Sequence, residues 1–320
     1  MMQYNVENLF DTVRSATHND ADFTPEGRNH WTSGRYWAKL SALARVIASA
    51  GGASPIDLVG MVEVENDSVL RDLTKRTLLR TMGYEYCITH GRDARGINVA
   101  LLYQPAKFRV LTAATIPVVP LADERPTRDI LRVEGVLPTR DSLTVFVVHF
   151  PSSRGGYGVA SDYRSYVAGI LRAQVDSIQA VRPAVNIVVM GDMNDELSAP
   201  CFSESLGARM MSADGDVEEL MLYEAPPTPM FHEAVGGTYF YQNQWGQIDH
   251  ILLSASILRG YEVRVAERGW KIFDAPFLLE TGQKWGGKSL QPKRTFLGTS
   301  YHRGCSDHLP LLVHLELNFD

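Results

Sequence analysis

The sequence predicts a single α/β domain with enough chain for two packed sheets. Three observations carry this. Its 320 residues allow one large domain with a sizeable core. Short runs rich in β-branched and aromatic residues recur along the whole chain. Amphipathic helical patterns lie between them. Hydrophobic residues make up 45% of the chain and charged residues 21%, with 26 Gly and 16 Pro, which excludes disorder, collagen and coiled coil.

The elements follow in order. Residues 2–5 read as the end of a strand whose beginning is missing, so a removed leader, and with it export, is an expectation. The start MMQYNVENLFD itself lacks the basic head and apolar run of a signal peptide. Trp37, Leu40, Leu43, Ala44 and Ile47 then recur at helical spacing, with Gly51-Gly52 as a stop. Residues 56–64 form an apolar run between Pro55 and Glu65-Asn66-Asp67, the pattern of a buried strand ending in carboxylates. Strand-like runs return at 99–103, 143–150, 187–191, 248–253 and 310–317. A second helix is expected over 161–180, with Ser161 as N-cap and Val167, Ile170, Leu171, Val175 and Ile178 on one face. Residues 224–236 and 273–301, rich in Pro, Gly and aromatics, read as long ordered loops. One domain over 1–320 is expected, with no solenoid repeat and no Gly-rich phosphate loop after an early strand.

Charge and cysteine content narrow the function. Lys and Arg total 31 against 37 Asp and Glu, a net charge of -6, far from the basic balance of a protein that coats nucleic acid. Any polyanion must bind locally. No stretch approaches the roughly eighteen apolar residues of a membrane span, so a soluble monomer is expected, with its compartment open. Cys87, Cys201 and Cys305 are too few for a disulfide framework and too dispersed for a metal cluster.

Chemistry concentrates in six polar clusters, read as the carboxyl ends of strands: YNVEN (4–8), EVE (63–65), VHF (148–150), GDMND (191–195), QIDH (247–250) and SDH (306–308). A single Asp-x-Asn is usually a turn or a helix cap; the recurrence is the signal. Glu63, Asp307 and Glu7 or Asn5 offer a hard oxygen shell suited to Mg²⁺ more than to zinc. His149 and His308 stand beside carboxylates, where a neutral imidazole can take a proton near neutral pH. Asp192 and Asn194, two apart on extended chain, can face the same side as acceptor and donor. His250 and His18 are read as structural or surface residues. A Cys305–His308 nucleophile pair lacks an orienting group and an oxyanion site.

The GDMND, IDH and SDHLP segments, in this order and at these separations, resemble the endonuclease/exonuclease/phosphatase superfamily over residues 5–308. The resemblance implies a four-layered α/β sandwich, two stacked mixed sheets flanked by helices, and a Mg²⁺-dependent phosphoesterase with Mn²⁺ as a substitute. By position it implies Glu63, Asp307, Asn5 and Glu7 as metal ligands, although relatives often carry Asp or Asn where Glu7 stands. It further implies His308 paired with Asp249 as the catalytic histidine and Asp192 as the group that orients or deprotonates water. Asn194 would hold a phosphate oxygen, and His149 would donate towards the phosphoryl group or the leaving oxygen. The stretch 149–156 is similar to the HWPS-R-GG loop of a bacterial branch, which implies Arg154 as a phosphate grip. The segment 91–98 resembles the substrate-side loop, in which Arg95 and Asn98 would face the site.

A phosphodiester in DNA or RNA is the substrate the resemblance favours. Two basic groups, Arg125, Arg128 and Arg132, and Lys288, Lys293, Arg294 and Arg303, are read by default as solvated loop charges, with contact to substrate phosphates as the alternative for either. A phosphatase or phosphodiesterase of a small sugar, inositol or lipid phosphate is the alternative, since the net charge is acidic. Tyr239, Tyr241, Trp245 and Tyr301, near the IDH and SDH segments, would either stack on a base or sugar or pack the loop floor. A non-catalytic binding module is the reading of another class. It is disfavoured because every matched position holds a chemically competent residue.

Overall fold

A computed structural model gives the architecture; it describes residues 1–121, 124–152, 157–212, 215–260, 262–284 and 287–319. Two seven-stranded mixed sheets stack face to face. The first contains β1 (Met2–Leu9), β2 (Leu58–Val64), β3 (Glu85–Ile88), β4 (Asn98–Tyr103), β11 (Thr228–Pro229), β15 (Val263–Ile272) and β20 (Leu311–Leu317), in the order β11-β15-β20-β1-β2-β4-β3. The second contains β5 (Arg109–Ile116), β6 (Ile130–Val136), β7 (Ser142–His149), β8 (Asn186–Asp192), β9 (Ala208–Met210), β10 (Leu222–Glu224) and β14 (Asp249–Ser254), in the order β5-β6-β7-β8-β14-β10-β9. Helices α1 (Ser33–Gly51) and α2 (Asp67–Arg76) pack on the first sheet, and α3 (Tyr157–Val181) on the second; α4 (Ala255–Arg259) follows β14. The result is the four-layered sandwich.

Period-2 alternation sorts the side chains between layers. On β7, Val145 and Val147 enter the inter-sheet core while Phe146 and Val148 meet α3. On β8, Val188 and Met190 face the other sheet while Ile187 and Val189 meet α3, and Ile251 and Leu253 of β14 repeat the inward parity. Continuing that parity turns His149, Asp192 and Asp249 into the gap between the sheets and His250 towards α3. Gly60 of β2 lets the sheets close, because a Cβ there would lie 2.4 Å from the Met190 sulfur.

Strand direction brings the polar clusters to one end. β1 runs parallel to β2 and β7 parallel to β8, so the chain leaves all four at the same mouth. β14 and β20 run antiparallel to their neighbours and start there. Asp249 and the 306–308 segment therefore sit at the amino ends of their strands, not at carboxyl ends as the sequence reading had them.

Several sequence boundaries move. Helix α3 begins at Tyr157, so Ser161 lies inside it and is not its cap. β1 continues past Asn5 to Leu9 through an irregularity in its pairing with β2. The 273–301 stretch is not a plain loop: it holds hairpins β16 (Leu279–Lys284)–β17 (Gly287–Pro292) and β18 (Phe296–Leu297)–β19 (Ser300–Tyr301). A further hairpin, β12 (Tyr239–Tyr241)–β13 (Gln244–Gly246), precedes β14. No helix is long and apolar enough to cross a membrane.

Candidate active site

The site forms where β1 and β2 distort. Glu7, Asn8 and Glu63 take left-handed backbone at φ 48°, 53° and 65°, and Asn194, past β8, does so at φ 54°. Non-glycine residues avoid this region, and such strain collects where surrounding structure demands a particular side-chain direction. Here it turns Glu7 and Glu63 out of the pleat. The Asn8 amide donates to Glu63 Oε2 at 2.8 Å, and the Glu7 amide donates to Asn5 Oδ1 at 2.9 Å.

Asp192 is the centre. It is 2% exposed, and its Oδ2 accepts from Asn5 Nδ2 at 2.9 Å, with His149 Nε2 at 3.6 Å and His308 Nε2 at 3.8 Å. Register explains the convergence, since His149 pairs with Asp192 across β7–β8 and Asp192 with Asp249 across β8–β14. His308 Nδ1 lies 2.7 Å from Asp249 Oδ2, which fixes the ring. Ser306 bonds both the Asn5 carbonyl and the His308 amide and so holds the 306–308 turn against β1.

The charge states divide by environment. Burial raises the Asp192 carboxyl, Asp249 raises it further, and His308 works against both. Burial alone would lower His308, but Asp249, by charge and hydrogen bond, carries it up to about 10, so it is an imidazolium at neutral pH. Burial and the Arg128 and Arg95 guanidiniums hold His149 well below its usual value, hence neutral. A base held near neutrality, a charged donor and a neutral donor thus meet at one point.

The carboxylates expected to bind metal fall into two neighbouring places. Glu63 faces Arg95, whose Nη2 is 3.5 Å from Oε1, and against burial this charge and the Asn8 amide hold Glu63 below its usual value. Glu7 and Asp307 share Arg294, with Glu7 Oε1 at 3.7 Å and Asp307 Oδ2 at 2.5 Å. Burial raises the Glu7 carboxyl, and the Asp307 charge raises it further. The four expected ligands are hard oxygen donors of the kind Mg²⁺ takes, but Glu63 on Arg95 and Glu7 with Asp307 on Arg294 stand as two separate charge groups, and the Asn5 carboxamide is engaged by Asp192 and the Glu7 amide. Among the described residues Asp192, Asp249 and His308 also bring donor atoms within 4.8 Å of one another. There the Asp249–His308 hydrogen bond already occupies Nδ1.

The remaining expected residues are placed as follows. Arg95 reaches the site and also donates to Asn8 Oδ1 at 3.3 Å. Asn98 is buried, and its carboxamide holds the loop, donating to the Glu65 carbonyl at 2.7 Å and accepting from the Gly91 amide at 2.9 Å. Asn194 donates from Nδ2 to the Phe150 carbonyl at 3.0 Å, so that amide now joins the loops after β7 and β8. Arg154 lies outside the described residues. The Cys305 thiol is pushed up to about 11 by burial and supplies no thiolate.

Sequence reasoning missed Lys39. It is 1% exposed, on the buried stripe of α1, and donates to the Glu7 carbonyl and, at 2.7 Å, to Thr295 Oγ1. The Thr295 amide in turn donates to Glu7 Oε2 at 2.7 Å. His250, read as structural, links its ring to Glu224 at 2.6 Å and to the Asp195 carbonyl at 2.9 Å, just past Asn194.

The sequence model of the Endonuclease/Exonuclease/phosphatase family matches residues 1–317, and the chain belongs to that family. It is a phosphoric ester hydrolase of a divalent-metal-dependent class. No curated protein matches the sequence. Among solved structures, the fold is similar to an endonuclease/exonuclease/phosphatase family protein from Bacteroides thetaiotaomicron, at 15% identity and TM-score 0.59, covering 100% of this chain and 98% of that one. It is similar to a mannosyl-6-phosphatase from the same species at 16% identity and TM-score 0.57, covering 99% and 98%. Sphingomyelinase C from Streptomyces griseocarneus is similar at 17% identity and TM-score 0.58, covering 98% and 97%.

Proposed function

We propose that the protein hydrolyses a compact phosphoester by in-line attack of water on phosphorus, with Asp192 as the base. The observation that carries this reading is the buried Asp192 carboxylate facing both His149 and His308. A carboxyl raised towards neutrality holds its proton loosely enough to act as base and tightly enough to accept one from water. The His308 imidazolium, anchored by Asp249, donates from Nε2 to a phosphoryl oxygen, and neutral His149 donates a hydrogen bond to the leaving oxygen. Arg95 adds positive charge at the mouth. Glu63, Asp307, Glu7 and Asn5 would hold Mg²⁺ or Mn²⁺. Such a cation, when bound, neutralises charge developing on the phosphoryl group.

A compact substrate is favoured over DNA or RNA because three of the seven residues in the two basic groups are engaged within the protein. Arg128 is buried and donates to the Phe150 carbonyl; Arg132 pairs with Glu134 on β6; Arg294 is taken up by Asp307 and Glu7. The test is plasmid DNA beside a panel of small phosphomonoesters and phosphodiesters, each with Mg²⁺, Mn²⁺ or chelator and with Asp192→Ala as control. Metal-dependent phosphoester cleavage from a panel member with intact plasmid is expected. Metal-dependent nicking lost in Asp192→Ala would make the protein a nuclease, and no release from any ester would overturn the hydrolase reading.

A further inference from the structure

The β12–β13 hairpin stands beside His308 in a form that hydrolysis alone does not require. Its two-residue turn, Gln242-Asn243, has both residues left-handed at φ 47° and 67°, the geometry that matches strand twist and stiffens a hairpin. Alternation splits its aromatics between two faces. Phe240 and Trp245 meet edge to face at 5.1 Å, and Trp245 packs against the main core. Tyr239 and Tyr241 take the other face, with near-parallel rings at 6.2 Å and 14°. Tyr239 in turn lies 4.7 Å from the His308 ring, and the two residues form a backbone bridge. The Leu309 amide donates to the Thr238 carbonyl at 2.7 Å, which pins the hairpin base to the catalytic turn.

The aromatic row therefore starts on the catalytic imidazole and ends in solvent. Tyr241 remains 60% exposed, although a ring of this size usually hides one face. A flat π surface held one tyrosine away from His308 is suited to stacking, which costs little entropy when the platform is stiff. We propose that Tyr241, backed by Tyr239, is a stacking platform for a flat aromatic ring carried by the substrate, a nucleobase or an aryl group. The proposal rests on the hydrolase reading and narrows its substrate to esters with such a ring. Aliphatic sugar and lipid esters lack the flat π face.

The experiment compares benzyl phosphate with cyclohexylmethyl phosphate, whose alkoxide leaving groups are close in basicity and differ in the flat ring. The wild-type enzyme with Mg²⁺ should favour the benzyl ester in kcat/KM. The preference should fall about tenfold in Tyr241→Ala and persist in Tyr241→Phe, which keeps the ring. Calorimetric binding of the non-hydrolysable benzylphosphonate should weaken by a similar factor in Tyr241→Ala alone. Turnover with equal rates for both esters, or a preference untouched by Tyr241→Ala, would overturn the platform while leaving the hydrolase. Phosphonate binding that depends on Tyr241, with no turnover of either ester, would support the platform and overturn the hydrolase reading instead.

Discussion

Lys39 shows how one side chain can set the geometry of a site it never faces. Its ammonium is the donor to the carbonyl of Glu7, a residue held in a strained backbone region, and Thr295 completes the clamp from the other side. Removing a group that orients a metal ligand typically costs 10- to 100-fold in affinity. Lys39→Met fills similar space but removes the donor to Glu7 and Thr295, so circular dichroism first checks that the variant folds. Its affinity for Mn²⁺, measured by calorimetric titration, should fall at least about tenfold; unchanged affinity would show that Glu7 is held without Lys39. Tyr36, Leu40, Leu43, Ala44 and Ile47 are buried on the same stripe of α1, so a lysine at 39 could have been marked by its place in an apolar arc. Nothing in the sequence ties that position to Glu7, because the contact spans separate layers. His250 is structural, as the sequence reading allowed: its buried ring bonds Glu224 and the Asp195 carbonyl, a pairing that the alternation of β14 alone does not reveal.

Among the elements, β8 is the most constrained. A Cβ at Gly191 would fall 2.0 Å from the Val148 carbonyl of β7, and that backbone cannot yield without disturbing the His149–Asp192 pair. Gly169, inside α3, has open space around it, and there alanine only removes the unfolded chain's extra freedom. Gly191→Ala should therefore lower Tm and cost about 1–3 kcal/mol or more. Gly169→Ala should raise stability by up to about 1 kcal/mol. Denaturant melts of both variants check this, and equal effects would contradict the strand packing. The buried strands β2, β7, β8 and β14 were legible from their apolar runs, and β20 from its buried start, Leu311-Leu312-Val313. β3, β5 and β9 were not, since edge strands bury one face or less and carry little pattern. The start of α3 was misread because Ser161 mimics a cap inside a helix that begins earlier.

At the scale of the whole molecule, net charge and charge placement act together. The chain carries -6 overall, and two of the cations near its site, Arg128 and Arg294, are engaged by the Phe150 carbonyl and by Asp307. A protein that tracks a polyanion through six to ten phosphates loses roughly 10³–10⁵ in affinity between about 50 and 200 mM salt. The KM for the preferred ester should move by less than about threefold over that range. A steep loss would return DNA or RNA to the front. The convergence of the proposed catalytic groups was legible only as a list of polar clusters. Which strands run parallel, and hence that Asp249 and His308 enter at amino ends, depends on pairing that no local pattern encodes.

In the proposed mechanism Asp192 takes the proton from the attacking water. The pH profile of kcat for the wild type and for Asp192→Asn tests it most directly. With the folded carboxyl raised by burial, wild-type kcat should fall with acidification through a pH above the ordinary aspartate range, as the base becomes protonated. Asp192→Asn, which keeps the shape and the Asn5 contact, should lose about 10²–10⁴ in kcat together with that acid limb. A variant with near-normal turnover, or one that keeps the acid limb unchanged, would contradict the account.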